Sequence, residues 1–321
     1  MAFLDEVAWF FRRVLPKKWF TYPEPRWHKS ELLSRIGLKN LEIVKNREIF
    51  GFKIPVKGPG QLRISYWWHR VTKKDGSIRH LHSPHPKVRA VQRLLLRKVF
   101  AQLRVHPAVK GFRCSESVVT HARLHANKAV VIRIDIKDFF DQTRRCRVYD
   151  FFRFIGWDHQ AAELMTTLCT WKDSLPQGAP TSPILSNLVN YRMDARLAGL
   201  AARSKAVYSR YADDIIFSFD EDNRRFIRGV IRRVVRILNE FGYQMNRGKL
   251  RVMRQHNRQL ITGLVVNEKV QLPRKTRRLL RAIEHHLKTG KPSTLTYEQL
   301  AGWKAYQHMI QQQSNRPHGV P

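Results

Sequence analysis

Hydrophobic positions recur along the chain with helical and strand-like periods in turn, and this alternation predicts an α+β molecule. Phe3, Leu4, Val7, Phe10, Phe11 and Val14 at helical spacing predict an amphipathic helix over residues 1–20. Pro23, Pro25, Pro55 and Pro59 break residues 21–62 into loops around one short helix near 29–36. Two β-rich arms, 66–72 and 77–82, flank Lys73-Lys74-Asp75-Gly76, where Asp-Gly predicts a hairpin turn. Val88, Val91, Leu94, Leu95 and Val99 share one side of a helix expected over 86–104. Residues 130–136 read as a strand and 161–169 as a helix. Ser182 followed by Pro183 predicts a capped helix running to about residue 202. Residues 207–219 predict a second hairpin, with Ala212-Asp213-Asp214 where its arms meet.

Two later helices carry a sharper division. Over 224–240, Ile227, Val230, Val234 and Leu238 face in, opposite Arg224, Arg228, Arg232 and Arg236. Over 274–288, Leu279, Leu280, Ile283 and Leu287 oppose Arg274, Arg277, Arg278, Arg281 and His285. The polar stretch from Gln311, with its Pro and Gly, is expected to fray.

Charge changes the picture. The 321 residues hold 60 Lys+Arg against 25 Asp+Glu, a formal net charge of +35, far beyond what solubility asks. Such an excess calls for a polyanion, and nucleic acid is the expected partner. It is concentrated in bands, among them 63–104 and 223–258, each with 11 basic residues and one acid. Apolar runs such as Ala129–Ile132 are far too short to span a membrane, so no membrane partner is expected. Asp5 and Glu6 before the first apolar patch, and Arg12-Arg13 after it, do not fit a secretory leader. Cys114, Cys146 and Cys169 form no CxxC pair and fit a reducing cytoplasm.

Against this basic background a few acids stand out. Asp135 closes the apolar strand Val131-Ile132-Arg133-Ile134, and a buried carboxylate there needs a partner or a metal. Asp213 and Asp214 are adjacent at a hairpin tip, where mutual repulsion makes sense if a divalent cation neutralises them. Neighbouring strands would bring all three to one sheet edge. Such a site suits two oxygen-liganded Mg2+ ions, with Mn2+ as a substitute. Leu175-Pro176-Gln177-Gly178 forms a rigid loop ahead of a helix start.

Together, and in this order, these segments resemble the reverse transcriptases, right-hand polymerases with fingers, an antiparallel palm sheet and a helical thumb. The resemblance covers residues from about 65 to 285. It implies fingers over 65–130 after an N-terminal extension, 1–64. It also implies a palm over 131–265 with a finger-side insertion at about 151–172, and a thumb and tail over 266–321. Asp135, with the backbone of Ile136, and Asp213 and Asp214 become metal ligands, the three aspartates catalytic. Phe140 resembles the aromatic gate beneath the sugar, and Gln177 the residue against the incoming nucleotide. Tyr211-Ala212-Asp213-Asp214 resembles the family's signature hairpin, with Tyr211 against nucleic acid. Lys249 becomes the candidate acid for departing pyrophosphate, and Lys73, Lys74 and Arg79 the grip on the dNTP triphosphate.

Within the family the sequence resembles retron reverse transcriptases of bacteria. Its length leaves no room for an RNase H, maturase or endonuclease domain. Ile261-Thr262-Gly263 resembles their Val-Thr-Gly triplet, and His121-Ala122-Arg123-Leu124-His125 their Asn-Ala-x-x-His segment, with His replacing Asn and Ile replacing Val. The resemblance implies that His121 and His125 touch RNA, a satisfied core histidine being the other reading of His125, and that Arg274, Arg277, Arg278 and Arg281 on the basic thumb helix touch RNA too. It further implies a structured noncoding RNA as template and primer, and priming from the 2′-hydroxyl of a guanosine. The product would be single-stranded DNA branched from RNA, guarding an effector protein in anti-phage defence. Two other readings stay open: a stand-alone or CRISPR-associated reverse transcriptase with another template, and a non-catalytic RNA-binding scaffold on a palm fold.

Overall fold

The computed structural model describes residues 22–38, 42–44, 61–72, 76 and 78–315. The amphipathic segment 1–20, and Lys73, Lys74 and Asp75 at the tip of the first hairpin, lie outside the described residues. The chain divides into two compact units. The described residues up to Ala101 join Arg144–Pro180 in one, and Gln102–Thr143 joins the chain from Thr181 onward in the other.

In the first unit the hairpin pairs Tyr66–Thr72 with Ile78–Pro84, in register from Tyr66↔Pro84 to Thr72↔Ile78. The helix Pro86–Lys98 opens on its proline and buries Val88, Val91 and Leu95. It stops short of residue 104, because the chain tightens into a 3-10 turn at Phe100–Gln102. Gln92 is fully buried on this helix. Its amide donates to the Tyr66 hydroxyl at 2.9 Å and to the Leu168 carbonyl at 2.7 Å, tying the hairpin to the helix His159–Cys169. That helix begins ahead of the expected residue 161 because the Asp158 carboxylate caps it, accepting from the Ala161 N–H at 2.6 Å. The helix Arg145–Phe154 adds an element that periodicity does not predict. The residues expected as an insertion at about 151–172 fall within the stretch Arg144–Pro180 of this unit.

The second unit is built on four antiparallel strands in the order Val207–Tyr211, Asp214–Phe219, Val130–Asp135, Arg251–Arg254. Side chains alternate between its faces. Val130, Ile132, Ile134, Ile215, Phe217 and Phe219 fill one core with the helices Tyr191–Arg203 and Arg224–Glu240. Val131 and Ile216 point the other way, into a core shared with Val119, Ile261, Leu264, Leu280, Ile283, Leu300 and Ile310. That common core is why 102–129 and the region expected as a thumb join the sheet's unit.

Three local expectations change. The helix expected over 182–202 is two, Ser182–Val189 and Tyr191–Arg203. Between them the Asn190 amide donates to the Ser186 carbonyl and the Tyr243 hydroxyl, both at 2.8 Å, drawing the backbone out of register. The tail does not fray at Gln311: the helix Tyr297–Asn315 continues, with Ser117 Oγ and Arg123 donating to Gln313 at 2.6 and 2.8 Å. On the helix Arg274–Lys288, Leu279 is 54% exposed rather than core, because only Leu280 and Ile283 fall fully on the inward line.

Candidate catalytic carboxylate site

The sheet brings the three aspartates together by register. Asp135 ends its strand directly opposite Asp214, which begins its own, so both side chains leave the same face. Asp213 occupies the turn, and its carbonyl accepts from the Ile136 N–H at 2.9 Å. The Asp135 carbonyl accepts from the Asn246 N–H at 2.8 Å, fixing the strand end from the other side. The Ile136 side chain is buried in the core, leaving its main chain facing the turn. Ala212 holds a φ of 55°, a left-handed conformation that a non-glycine residue adopts only when its surroundings enforce it.

Electrostatics at this edge are unbalanced. Asp213 is pushed up to about 6, by burial first and then by the Asp214 and Asp135 charges. Asp214 is also raised by burial, against the opposing pull of Arg133. The Arg133 guanidinium grips Asp214 with two bonds of 2.8 Å, and Lys249 Nζ lies 3.2 and 3.0 Å from the two Asp135 oxygens. With both carboxylates turned to cations, no three His, Cys, Asp or Glu side chains converge as a ligand set among the described residues. The donors nevertheless suit a hard divalent ion: carboxylate oxygens, buried, with Asp213 left without an ion-pair partner among the described residues. Lys249 can yield its place, being 57% exposed where Asp135 is 5%.

The remaining candidates fall in several places. Phe140 sits half-buried against Phe139 in the short helix Phe139–Gln142, which follows Asp138 in a left-handed conformation. Gln177 and Arg79 belong to the other unit. The Gln177 carbonyl accepts from the His82 N–H at 2.7 Å, and a Cβ on Gly178 would come within 3.0 Å of the His82 carbonyl oxygen, so only glycine fits there. Arg79 is exposed on its strand opposite Val71. Arg274, Arg278 and Arg281 are exposed, while Arg277 lies on the helix flank with its Nε buried and without a hydrogen-bond partner among the described residues.

His121 and His125 are not placed to touch RNA: both are fully buried. His121 Nε2 and His125 Nε2 each lie 2.7 Å from Ser209 Oγ, and His125 Nδ1 lies 2.8 Å from Ser218 Oγ. These serines lie on the two strands of the Asp213–Asp214 hairpin, and His121 stacks on Tyr211 at 5.6 Å. Burial lowers His121 to about 4 and His125 well below the usual range, so both are neutral at pH 7. They brace the hairpin on the sheet face that also carries Ile216 and Asp214.

Two arginines escape sequence reasoning. Arg133 shares the face of Asp135 two residues on, and a charge inside an apolar strand is the available signal. Arg210 is fully buried, held by Asp194 through two bonds of 2.7 Å. It also donates to the Ala212 carbonyl at 3.0 Å and to Asn187 at 3.3 Å. Gly111 lets the backbone approach this turn, since a Cβ there would stand 3.1 Å from the Ala212 nitrogen.

Comparison with known proteins agrees with this geometry. The family model for reverse transcriptase (RNA-dependent DNA polymerase) matches residues 71–279. Retron Mx162 reverse transcriptase of Myxococcus xanthus is 35% identical over 273 residues, covering 74% of this chain and 56% of that protein. Retron Mx65 reverse transcriptase of the same organism is 34% identical over 258 residues, covering 75% and 60%. Retron Ec86 reverse transcriptase of Escherichia coli is 29% identical over 295 residues, covering 90% and 86%. The chain spans little more than half the length of the two Myxococcus relatives. The matched span contains Asp135, Gln177, Asp213, Asp214 and Lys249, and by that match the chain belongs to the reverse transcriptase family.

Proposed function

We propose that the protein is an RNA-directed DNA polymerase of retron type. The observation that carries this is the pairing of Asp135 with Asp214, with Asp213 in the adjoining turn, at one edge of an antiparallel sheet. Two Mg2+ ions, or Mn2+ in their place, held by these aspartates and the Ile136 carbonyl, would activate a primer hydroxyl and take up charge on departing pyrophosphate. Lys249, released from Asp135, is then free to donate a proton to that pyrophosphate. Arg133 keeps Asp214 ionised and oriented. Gln177 bears on the incoming nucleotide, and Lys73, Lys74 and Arg79 grip its phosphates. Tyr211 bears on nucleic acid, and Arg274, Arg277, Arg278 and Arg281 contact RNA phosphates.

We take the template and 2′-hydroxyl primer to be a structured noncoding RNA, with branched RNA-linked DNA as product. We extend this to a retron effector protein and a role in anti-phage defence. No helix among the described residues is long and apolar enough to cross a membrane.

The test is incorporation of dNTPs by the purified protein on a primed RNA template. Synthesis is expected with Mg2+ or Mn2+ and should stop when EDTA removes the metal; no incorporation with either ion would overturn the reading. Sugar choice gives a second check. Phe140 would fill the space beneath C2′, so Phe140→Ala should raise ribonucleotide incorporation relative to deoxynucleotide by about tenfold or more, as expected when a steric barrier to one extra hydroxyl is removed. An unchanged ratio would place the gate elsewhere.

A further inference from the structure

The outer face of the helix Arg224–Glu240 has no part in the fold or in the carboxylate site. Ile227, Val230, Val234, Ile237 and Leu238 face inward, onto the sheet face carrying Ile132, Ile134, Ile215 and Phe217. Arg225, Arg228, Arg232 and Arg236 follow the opposite line, flanked by Arg224 and Arg233. All six are exposed, and none has a side-chain partner among the described residues. The acids nearest in sequence do not answer this charge. Asp220 pairs with Lys128 and Asp222 with Arg254, Glu240 is taken by Arg196, and Glu221 precedes the helix.

This arrangement opposes the helix's own electrostatics. Like charges four residues apart, as at Arg228, Arg232 and Arg236, each weaken a helix slightly. Arg224 and Arg225 sit in the first turn, at the positive end of the helix dipole, and no acid there offsets them. Such a face gains from an external anion. Asp135 and Asp214 leave the sheet on the side of Val131 and Ile216, so the sheet and the full thickness of the helix separate the stripe from the carboxylates. A duplex being extended at the aspartates does not occupy it.

We propose that this stripe is a second phosphate-binding surface, which holds a duplex segment of the bound RNA on the side of the sheet away from the carboxylates. The proposal rests on the reading of the protein as a polymerase acting on a structured RNA. From Arg225 to Arg236 the stripe runs about 16 Å at the helical rise, enough to follow several phosphates. Guanidinium forks match phosphate oxygens, and a convex face without a groove positions a backbone without reading bases. A protein partner would need an apolar centre, and Phe226, 42% exposed, is the one large apolar side chain this helix exposes.

The experiment changes Arg225, Arg228, Arg232 and Arg236 together to Gln, which is close to Arg in helix propensity and leaves the buried side intact. The probes are a hairpin RNA with a stem of about 25 base pairs and a primer–template of about 12, a length chosen from the rise per pair so that it reaches only one site. Hairpin binding should weaken at least about tenfold near physiological salt. The slope of log affinity against log salt should flatten by about 0.9 for each phosphate that the substitutions release. Extension of the short primer–template should change less than about twofold at low salt, where screening is weak. Unchanged hairpin affinity and slope would overturn the proposal, as would an equal loss on the short substrate, which would assign the stripe to the carboxylate side. Polyglutamate binding that the substitutions abolish, with hairpin binding preserved, would overturn it in favour of an acidic protein. Absence of extension by the parent protein would sink the polymerase reading, while the hairpin measurements would still decide the stripe.

Discussion

Asp213→Asn is expected to reduce primer extension by about a thousandfold or more, and at the same time to stabilise the protein in EDTA above pH 7. The first effect follows from removing one of the three carboxylates of the proposed two-metal site, where losing about 4 kcal/mol of transition-state stabilisation corresponds to that factor. The second follows from burial. Ionising Asp213 costs more in the fold than in the unfolded chain, since its carboxyl is pushed from 3.8 to about 6. Stability from the protonated form is therefore fully present below pH 4 and is lost as the pH rises through about 6. At pH 8 the asparagine should avoid a cost on the order of 2–3 kcal/mol, worth several degrees in melting temperature. At pH 4 the two proteins should melt nearly together. Divalent ions should stabilise the parent protein more than the variant. Extension within about tenfold of the parent's would remove Asp213 from the machinery. A variant that melts lower than the parent at pH 8 would show that the carboxylate is not strained.

The same opposition between activity and stability explains why this part of the site is legible in the sequence. Asp135, Asp213 and Asp214 break local rules, as a charge ending an apolar strand and two like charges in one turn. Such violations can be seen within a short window and persist only where something else compensates. The helical faces are legible for a similar reason, since Ile227, Val230 and Val234 depend on period alone. What escapes are pairings set by three-dimensional register. Arg254 and Arg251 end a strand of four residues, too short and too charged to betray itself. Arg133 takes Asp214 across 81 positions and Lys249 takes Asp135 across 114, distances over which no local pattern operates. His121 and His125 are placed against RNA by the resemblance alone, and a match of residue types does not reveal the burial that comes when folding brings Ser209 and Ser218 against them. The helix Tyr297–Asn315 carries little amphipathic signal, and its order comes from docking rather than from propensity.

Asp194→Ala should destabilise the protein strongly, because it leaves the Arg210 charge without its counter-ion where neither residue has any exposed surface. Breaking a buried pair from one side typically costs about 3–5 kcal/mol, against about 1 kcal/mol for an average substitution. Tyr208 would lose its acceptor as well, since its hydroxyl donates to Asp194 at 2.7 Å. Replacing both partners with apolar residues of similar volume, Asp194→Leu with Arg210→Met, removes the buried charge instead of stranding it. Most of the stability should return, as a double-mutant cycle in urea would record. Activity should not return with it. Arg210 donates to the Ala212 carbonyl, and Ala212 is held left-handed immediately before Asp213. Methionine cannot make that bond, so the turn should relax, and the stable double variant should extend primers more slowly. The nucleotide KM should stay close to the parent's, since the residues proposed to bear on the nucleotide are untouched. Recovery of extension in step with stability would reduce the pair to a structural filler. Persistent inactivity in a well-folded double variant would identify Arg210 as a positioning residue that acts through the turn on Asp213.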